Sequence, residues 1–184
     1  MKLSFAIIFC CLVILKFSSA DSVTIECEYL IRDYKYSCDV QNQEIFTDVE
    51  VFGIHNAPNL KHFPRNIKNV FKNLIRIGIS QSNLSKITSE DLKDFPKLKG
   101  LYLHFNQIEV IRKDTFKFNP EIEEIILKYN KIKHIEPKAF SKLRNLKELD
   151  LTGNSCQFEW AGKREEVLEI IKKIEEETCN KNSN

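Results

Sequence analysis

Apolar and polar positions follow two different periods along this chain, and the stronger one returns at a fixed interval. Starting at Leu98, Ile122 and Leu146, an eleven-residue phrase recurs every 24 residues as LKGLYLHFNQI, IEEIILKYNKI and LKELDLTGNSC. Each copy has aliphatic side chains at places 1, 4 and 6 and an asparagine at place 9, namely Asn106, Asn130 and Asn154. A weaker copy, LIRIGISQSNL, begins one interval earlier at Leu74, with Ser82 at the asparagine place. A more degenerate one spans Val49 to Phe71, with Phe52 and Ile54 on the strand and Ala57 at the asparagine place. A constant period in this range predicts stacked structural repeats.

Alternation at places 4 and 6 predicts a short strand, with Leu101 and Leu103 on one side and Tyr102 and His104 on the other. One such strand cannot bury its inner face alone. Stacking the next repeat at about 4.8 Å joins the inner faces into one core. The amide at place 9 is expected to bond exposed backbone groups of its own and the adjoining turn. Ile87, Ile111 and Ile135, followed by Leu92, Phe116 and Phe140, are expected to fill the back of the coil. Short helical turns are predicted there, with Ser89 ahead of Glu90 and Asp91 as a cap and Pro137 at a first helical position. The second period is helical. From Glu165 to Glu177, Val167, Leu168, Ile171 and Ile174 recur on one side among charged residues, so a helix should lie across the open end of the last repeat. Trp160 is expected to join that apolar stripe as a lid.

The full pattern, LxxLxLxxNxLxxIxxxxFxxLxx, resembles the extracellular type of leucine-rich repeat shared by Toll-like receptors, Slit proteins and many secreted arthropod proteins. The resemblance implies an α/β solenoid, a horseshoe with a parallel concave sheet and disulfide-bonded caps at both ends. It divides the chain into a signal peptide (1–20), an amino-terminal cysteine cap (21–45), about five repeats (46–155), a helical cysteine cap (156–179) and a frayed tail (180–184).

Composition and charge sharpen this division. Lys2, the apolar run from Leu3 to Phe17 and the small residues Ser18, Ser19 and Ala20 read as a secretory signal cut before Asp21. Lys16 interrupts the run, which is short of the ~20 residues a spanning helix needs. With no second such run, the mature protein is expected to be secreted, with no membrane span. Cleavage removes Lys2 and Lys16, so the 28 basic side chains fall to 26, matching the 26 acidic ones. That balance does not point to nucleic acid or an anionic membrane as partner. The basic run from Lys61 to Lys68 reads as a solvated loop.

Of six cysteines, Cys10 and Cys11 leave with the signal. The remaining Cys27, Cys38, Cys156 and Cys179 allow three connectivities. Two flank each end of the solenoid, where exposed core needs a cap. The economical pairing is therefore Cys27–Cys38 and Cys156–Cys179, each contributing on the order of 3 kcal/mol. No pair has zinc-knuckle spacing, and no metal or cofactor is expected. Within the amino-terminal cap, Val23 and Ile25, then Tyr34, Tyr36 and Val40, alternate as two short strands.

In a solenoid of this kind the outward residues form columns on the concave face. Tyr102, Phe105, Ile126 and Tyr129 gather there with His104 and Lys128 among them, an aromatic and apolar cluster with a polar rim that suits an interface. Strand parity points Tyr102 and Ile126 outward and makes them the leading contacts. Place 8 stands where the chain turns, so Phe105 and Tyr129 divide between solvent and the core of the turn. No nucleophile, phosphate loop or zinc signature appears, and the group Glu124, Glu148 and Asp150 reads as an acidic patch; the chain is not expected to be an enzyme. Asn83-Leu84-Ser85 is an N-glycosylation sequon.

The expected function is non-enzymatic recognition of an extracellular protein or glycan through the concave face, by a monomer or a weakly self-associating chain. The resemblance implies work in innate immunity or extracellular signalling. A structural, self-associating matrix role is the alternative, and enzyme inhibition a further one.

Overall fold

The computed structural model describes residues 11–17, 22–30, 35–37, 49–64, 67–156 and 158–176. Three strands come first: β1 (Cys11–Phe17), β2 (Ser22–Leu30) and β3 (Lys35–Ser37). Of the two short strands expected in the amino-terminal cap, β2 holds Val23 and Ile25 and β3 holds Tyr36, and they pair antiparallel with Tyr29 opposite Tyr36; Tyr34 and Val40 lie outside the described residues. The apolar run assigned above to the leader forms β1 in the full-length chain, lying antiparallel between β2 and the first repeat strand. An aliphatic run of this kind suits a strand, and here it pairs an edge that would otherwise be open.

Each repeat then contributes one strand of a parallel sheet. These are β4 (Val49–His55), β5 (Arg76–Ser80), β6 (Gly100–Tyr102), β8 (Glu124–Ile126) and β10 (Glu148–Asp150), five strands joined through four turns of solenoid. Between β6 and β8 lies β7 (Val110–Ile111), and between β8 and β10 lies β9 (His134–Ile135); these two pair in parallel on the back. The register joins equal places of successive repeats: Gly53 to Gly78, Gly78 to Tyr102, Tyr102 to Ile126 and Ile126 to Asp150. The columns read from the repeat spacing are therefore the hydrogen-bonded columns of the sheet.

Strand parity puts places 4 and 6 inward. Phe52, Ile77, Leu101, Ile125 and Leu149 from place 4, and Ile54, Ile79, Leu103, Leu127 and Leu151 from place 6, are essentially free of solvent. Ile87, Ile111, Ile135, Leu92, Phe116 and Phe140 fill the back as expected, with the Phe116 and Phe140 rings stacked at 5.6 Å. The back is less helical than the sequence suggests. One-turn helices α1 (Ile67–Val70) and α2 (Ser89–Leu92) serve the first two repeats, and the later ones use turns, including that at Pro137. Thr88, not Ser89, caps α2, because the Asp91 carboxylate accepts from both the Thr88 N–H (2.8 Å) and its hydroxyl (2.6 Å).

Asparagines stitch the turns together. Asn130 donates to the carbonyls of Leu103 (2.8 Å) and Leu127 (2.9 Å) and accepts from the N–H of Ile108 (3.0 Å). Asn106 and Asn154 repeat the arrangement, and Ser82 does so with a shorter reach, donating to the Ser80 carbonyl while accepting from Ala57 N–H. A buried amide outside the repeat pattern, Asn119, ties the back by donating to the carbonyls of Leu92 and Phe95.

At the carboxyl end β11 (Trp160–Ala161) runs antiparallel to β10, and α3 (Arg164–Glu176) closes the coil. Two expectations change here. Val167, Ile170 and Ile174 are the buried face of α3, whereas Leu168, about 100° round from Val167, is 48% exposed. Trp160 is not a lid: on β11 it points outward, and its neighbour Ala161 is the one buried. Arg164 was not anticipated. Its guanidinium donates to the carbonyls of Leu143 (3.3 Å), which also accepts from the Leu146 N–H, and Leu146 (2.8 Å), tying the cap to the backbone of the last repeat.

Candidate functional site on the outward sheet face

Place 8 carries the distinctive geometry. Asn56, Gln81, Phe105, Tyr129 and Gly153 all have positive φ, from 48° to 68°. The chain leaves each strand through a left-handed residue, a conformation natural for Asn and Gly and costing roughly 1–2 kcal/mol for a side chain such as Phe or Tyr. Its N–H still extends the ladder, with Phe105 N–H donating to the Lys128 carbonyl (3.0 Å) and Tyr129 N–H to that of Thr152 (2.8 Å). The turn projects the side chains out of the coil, leaving Phe105 41% and Tyr129 52% exposed. Their rings stack at 4.7 Å with 12° between planes, and His104 meets the Phe105 ring edge-on at 5.7 Å. Tyr129 lies over Gly153, where a Cβ would come within 2.4 Å of the ring.

Solvent exposure runs against the expected order, with Phe105 and Tyr129 more exposed than Tyr102 and Ile126. Ile126 does sit on the outward side of β8, but with Tyr102 and Asp150 beside it in the register it is only 9% exposed. Tyr102 is half-buried, its ring folded over Gly100 so that its hydroxyl donates to Glu124 with the Arg76 guanidinium alongside. Burial, and secondarily the bond to Glu124, push this phenol up to about 12, with Arg76 opposing. Lys128 stands 3.7 Å from Asp150, whose carboxylate also accepts from the Thr152 N–H (3.1 Å) and hydroxyl (2.7 Å).

His104 is half-buried between these groups. Burial, then Lys128 and His55, hold its imidazole below the usual histidine value, with Asp150 opposing. Its Nδ1 is enclosed without a hydrogen bond. The acidic patch is dispersed in function: Glu124 serves Tyr102 and Arg76, Asp150 serves Thr152 and Lys128, and Glu148 accepts the indole N–H of Trp160 at 3.1 Å. Trp160, opposite Asp150 and 56% exposed, extends the outward row. Its alternation with the small, buried Ala161 was the available signal. Among the described residues no three His, Cys, Asp or Glu side chains group as a metal site, and no helix is long and apolar enough to cross a membrane.

Asn83 is exposed beside the buried Leu84, and its amide donates to the Pro58 carbonyl. Cys27 lies in β2 and its expected partner Cys38 outside the described residues. Cys156 is buried and disulfide-bonded; Cys179 also lies outside the described residues.

Comparison with known proteins bears on the repeats. A family described as leucine rich repeat matches residues 96–155, the stretch in which the three close copies lie. No curated protein matches the chain. Among solved structures, the chain is similar to one in the Toll–Spatzle complex, described as a molecular hub in Drosophila development and innate immunity. The two share 22% identity at a TM-score of 0.46, over 50% of this chain and 12% of that one.

Proposed function

We propose that the chain is a secreted recognition module that binds an extracellular protein through the outward sheet face, with Phe105 and Tyr129 at the centre of contact. The observation that carries this reading is the pair of stacked, exposed aromatics held at left-handed positions. Bulky residues there oppose the backbone's preference and leave apolar surface in water, and such local strain suits a site that acts on something else. Tyr102, His104 and Lys128 supply a polar rim, the arrangement of an interface centre. Ile126 supports the face from beneath.

In this reading Met1 to Ala20 is removed before Asp21, and the Cys27–Cys38 and Cys156–Cys179 bridges staple the ends in an oxidising compartment. A glycan on Asn83 would stand on the flank and leave the sheet face open. The extracellular setting and a role in signalling or innate immunity rest on the repeat pattern's resemblance.

The test is capture from extracellular fluid by the secreted protein beside a Phe105→Asn/Tyr129→Asn variant, since Asn accepts the left-handed turn. A ligand held by the parent and lost by the variant supports the reading. Equal capture by both, or a parent that associates only with itself, overturns it.

A further inference from the structure

The geometry points to a second binding site at the carboxyl-terminal cap: the groove between β11 and α3 takes an arginine or lysine side chain from a basic segment of a partner protein. The groove has a volume of about 590 Å³, within the usual range of ligand pockets, and stands apart from the aromatic pair of the sheet face. Ala161 and Ile170 line it as buried residues, with the half-buried Phe158 beside them. Trp160 forms a wall. Its indole is anchored by the bond to Glu148 and lies on Gly162, where a Cβ would come within 2.5 Å of the ring. A large aromatic fixed at both ends yet 56% exposed adds little to the core, which Ala161 already fills.

The remaining lining is charged, with Glu159, Glu166 and Glu169 against Lys173 alone. Glu166 accepts from the Gly162 N–H at 3.1 Å, whereas the carboxylates of Glu159 and Glu169 have no hydrogen bond or ion pair with any described residue. An aromatic face ringed by carboxylates attracts a cation through the ring quadrupole and through charge-assisted hydrogen bonds. An anion would be repelled, and a wholly apolar ligand would strip water from unpaired carboxylates. A guanidinium or ammonium on an aliphatic stem satisfies all three parts, its stem over the apolar floor and its tip among the carboxylates.

Trp160 is the chain's single tryptophan, so its fluorescence reports on this groove directly. The protein from secretory expression is titrated with the peptide Ac-(Arg-Gly)3-amide, with Ac-(Glu-Gly)3-amide as control, and affinities are taken by calorimetry. The basic peptide should give a saturable change and the acidic one none. Glu159→Gln/Glu169→Gln, exposed positions whose fold is checked by circular dichroism, should bind roughly tenfold more weakly. Lys173→Gln should tighten binding, and Phe105→Asn/Tyr129→Asn should leave it unchanged. No saturable change with the parent, equal binding by the carboxylate variant, or loss of binding in the sheet-face variant would each overturn the assignment.

Discussion

Places 8 and 9 of each repeat are neighbours in the chain and follow opposite physical rules. At place 9 Asn106 and Asn130 are buried, Asn154 is partly so, and each spends its amide on backbone groups of two successive turns. At place 8 Phe105 and Tyr129 are exposed, strained and stacked on each other. One column lowers the free energy of the coil; the other offers apolar surface outward at a conformational cost. The difference teaches that, within a single turn, the residue holding the coil together can be told from the residue free to act by asking where its polar groups and its φ angle are satisfied.

The comparison breaks most sharply at Asn130. Asn130→Ala strands the N–H of Ile108 in a buried turn and takes one of two amide donors from the carbonyls of Leu103 and Leu127, which keep Asn106 and Asn154 respectively. A loss of about 2–3 kcal/mol is expected, read as a lower denaturant midpoint. A change under about 1 kcal/mol would mean that water replaces the amide and that the column is not the coil's main tie.

Gly153→Ala comes next, because it tests the base on which the aromatic stack rests. A Cβ there meets the Tyr129 ring and must hold φ near +68°. About 1–2 kcal/mol of stability should be lost, with a shift in Tyr129 ring resonances by nuclear magnetic resonance. Unchanged rings would show that the stack does not depend on Gly153.

At Phe105 and Tyr129 the two effects nearly cancel. Phe105→Asn relieves the left-handed strain and forfeits a stacked pair worth about 0.5–1.5 kcal/mol, so stability should stay within about 1 kcal/mol of the parent while binding to the sheet face is lost. Destabilisation as large as that of Asn130→Ala would make place 8 structural and erase the contrast between the columns.

The repeat register was legible in the sequence because a 24-residue spacing aligns equal places, and the structure hydrogen-bonds those places. Parity told correctly that Tyr102 and Ile126 point away from the core. It could not tell how tall their neighbours stand, so the burial of Ile126 beside Tyr102 and Asp150 was beyond it. The left-handed column left a faint trace in Asn56 and Gly153, two residue types that adopt positive φ readily, but Phe105 and Tyr129 carry no local sign of it. Helical spacing found the closing helix and misplaced Leu168, since a stripe's edge depends on what the helix lies against. The return strand β11 follows no repeat, so only the alternation of Trp160 with the small Ala161 hinted at its outward turn.

The smallest effect expected concerns His104, at place 7 beside the strained column. Its folded-state pKa lies below the ordinary 6.5, chiefly because burial disfavours the imidazolium, with Lys128 and His55 adding repulsion. Above that ordinary value both folded and unfolded chains hold it neutral, and its contribution to stability is complete. As pH falls below it, the unfolded chain binds a proton that the folded chain resists, so stability declines until the folded-state value is passed. Facing charges are Lys128 and His55 on one side of the balance and Asp150 on the other. His104→Gln should flatten the decline in melting temperature between neutral pH and the acid side of that window. It should also leave the Phe105–Tyr129 stack in place, since that stack rests on Gly153 and on the ladder bonds to Lys128 and Thr152. An equally steep decline in the variant would assign the acid sensitivity elsewhere and make place 7 a bystander to the contrast between its two neighbours.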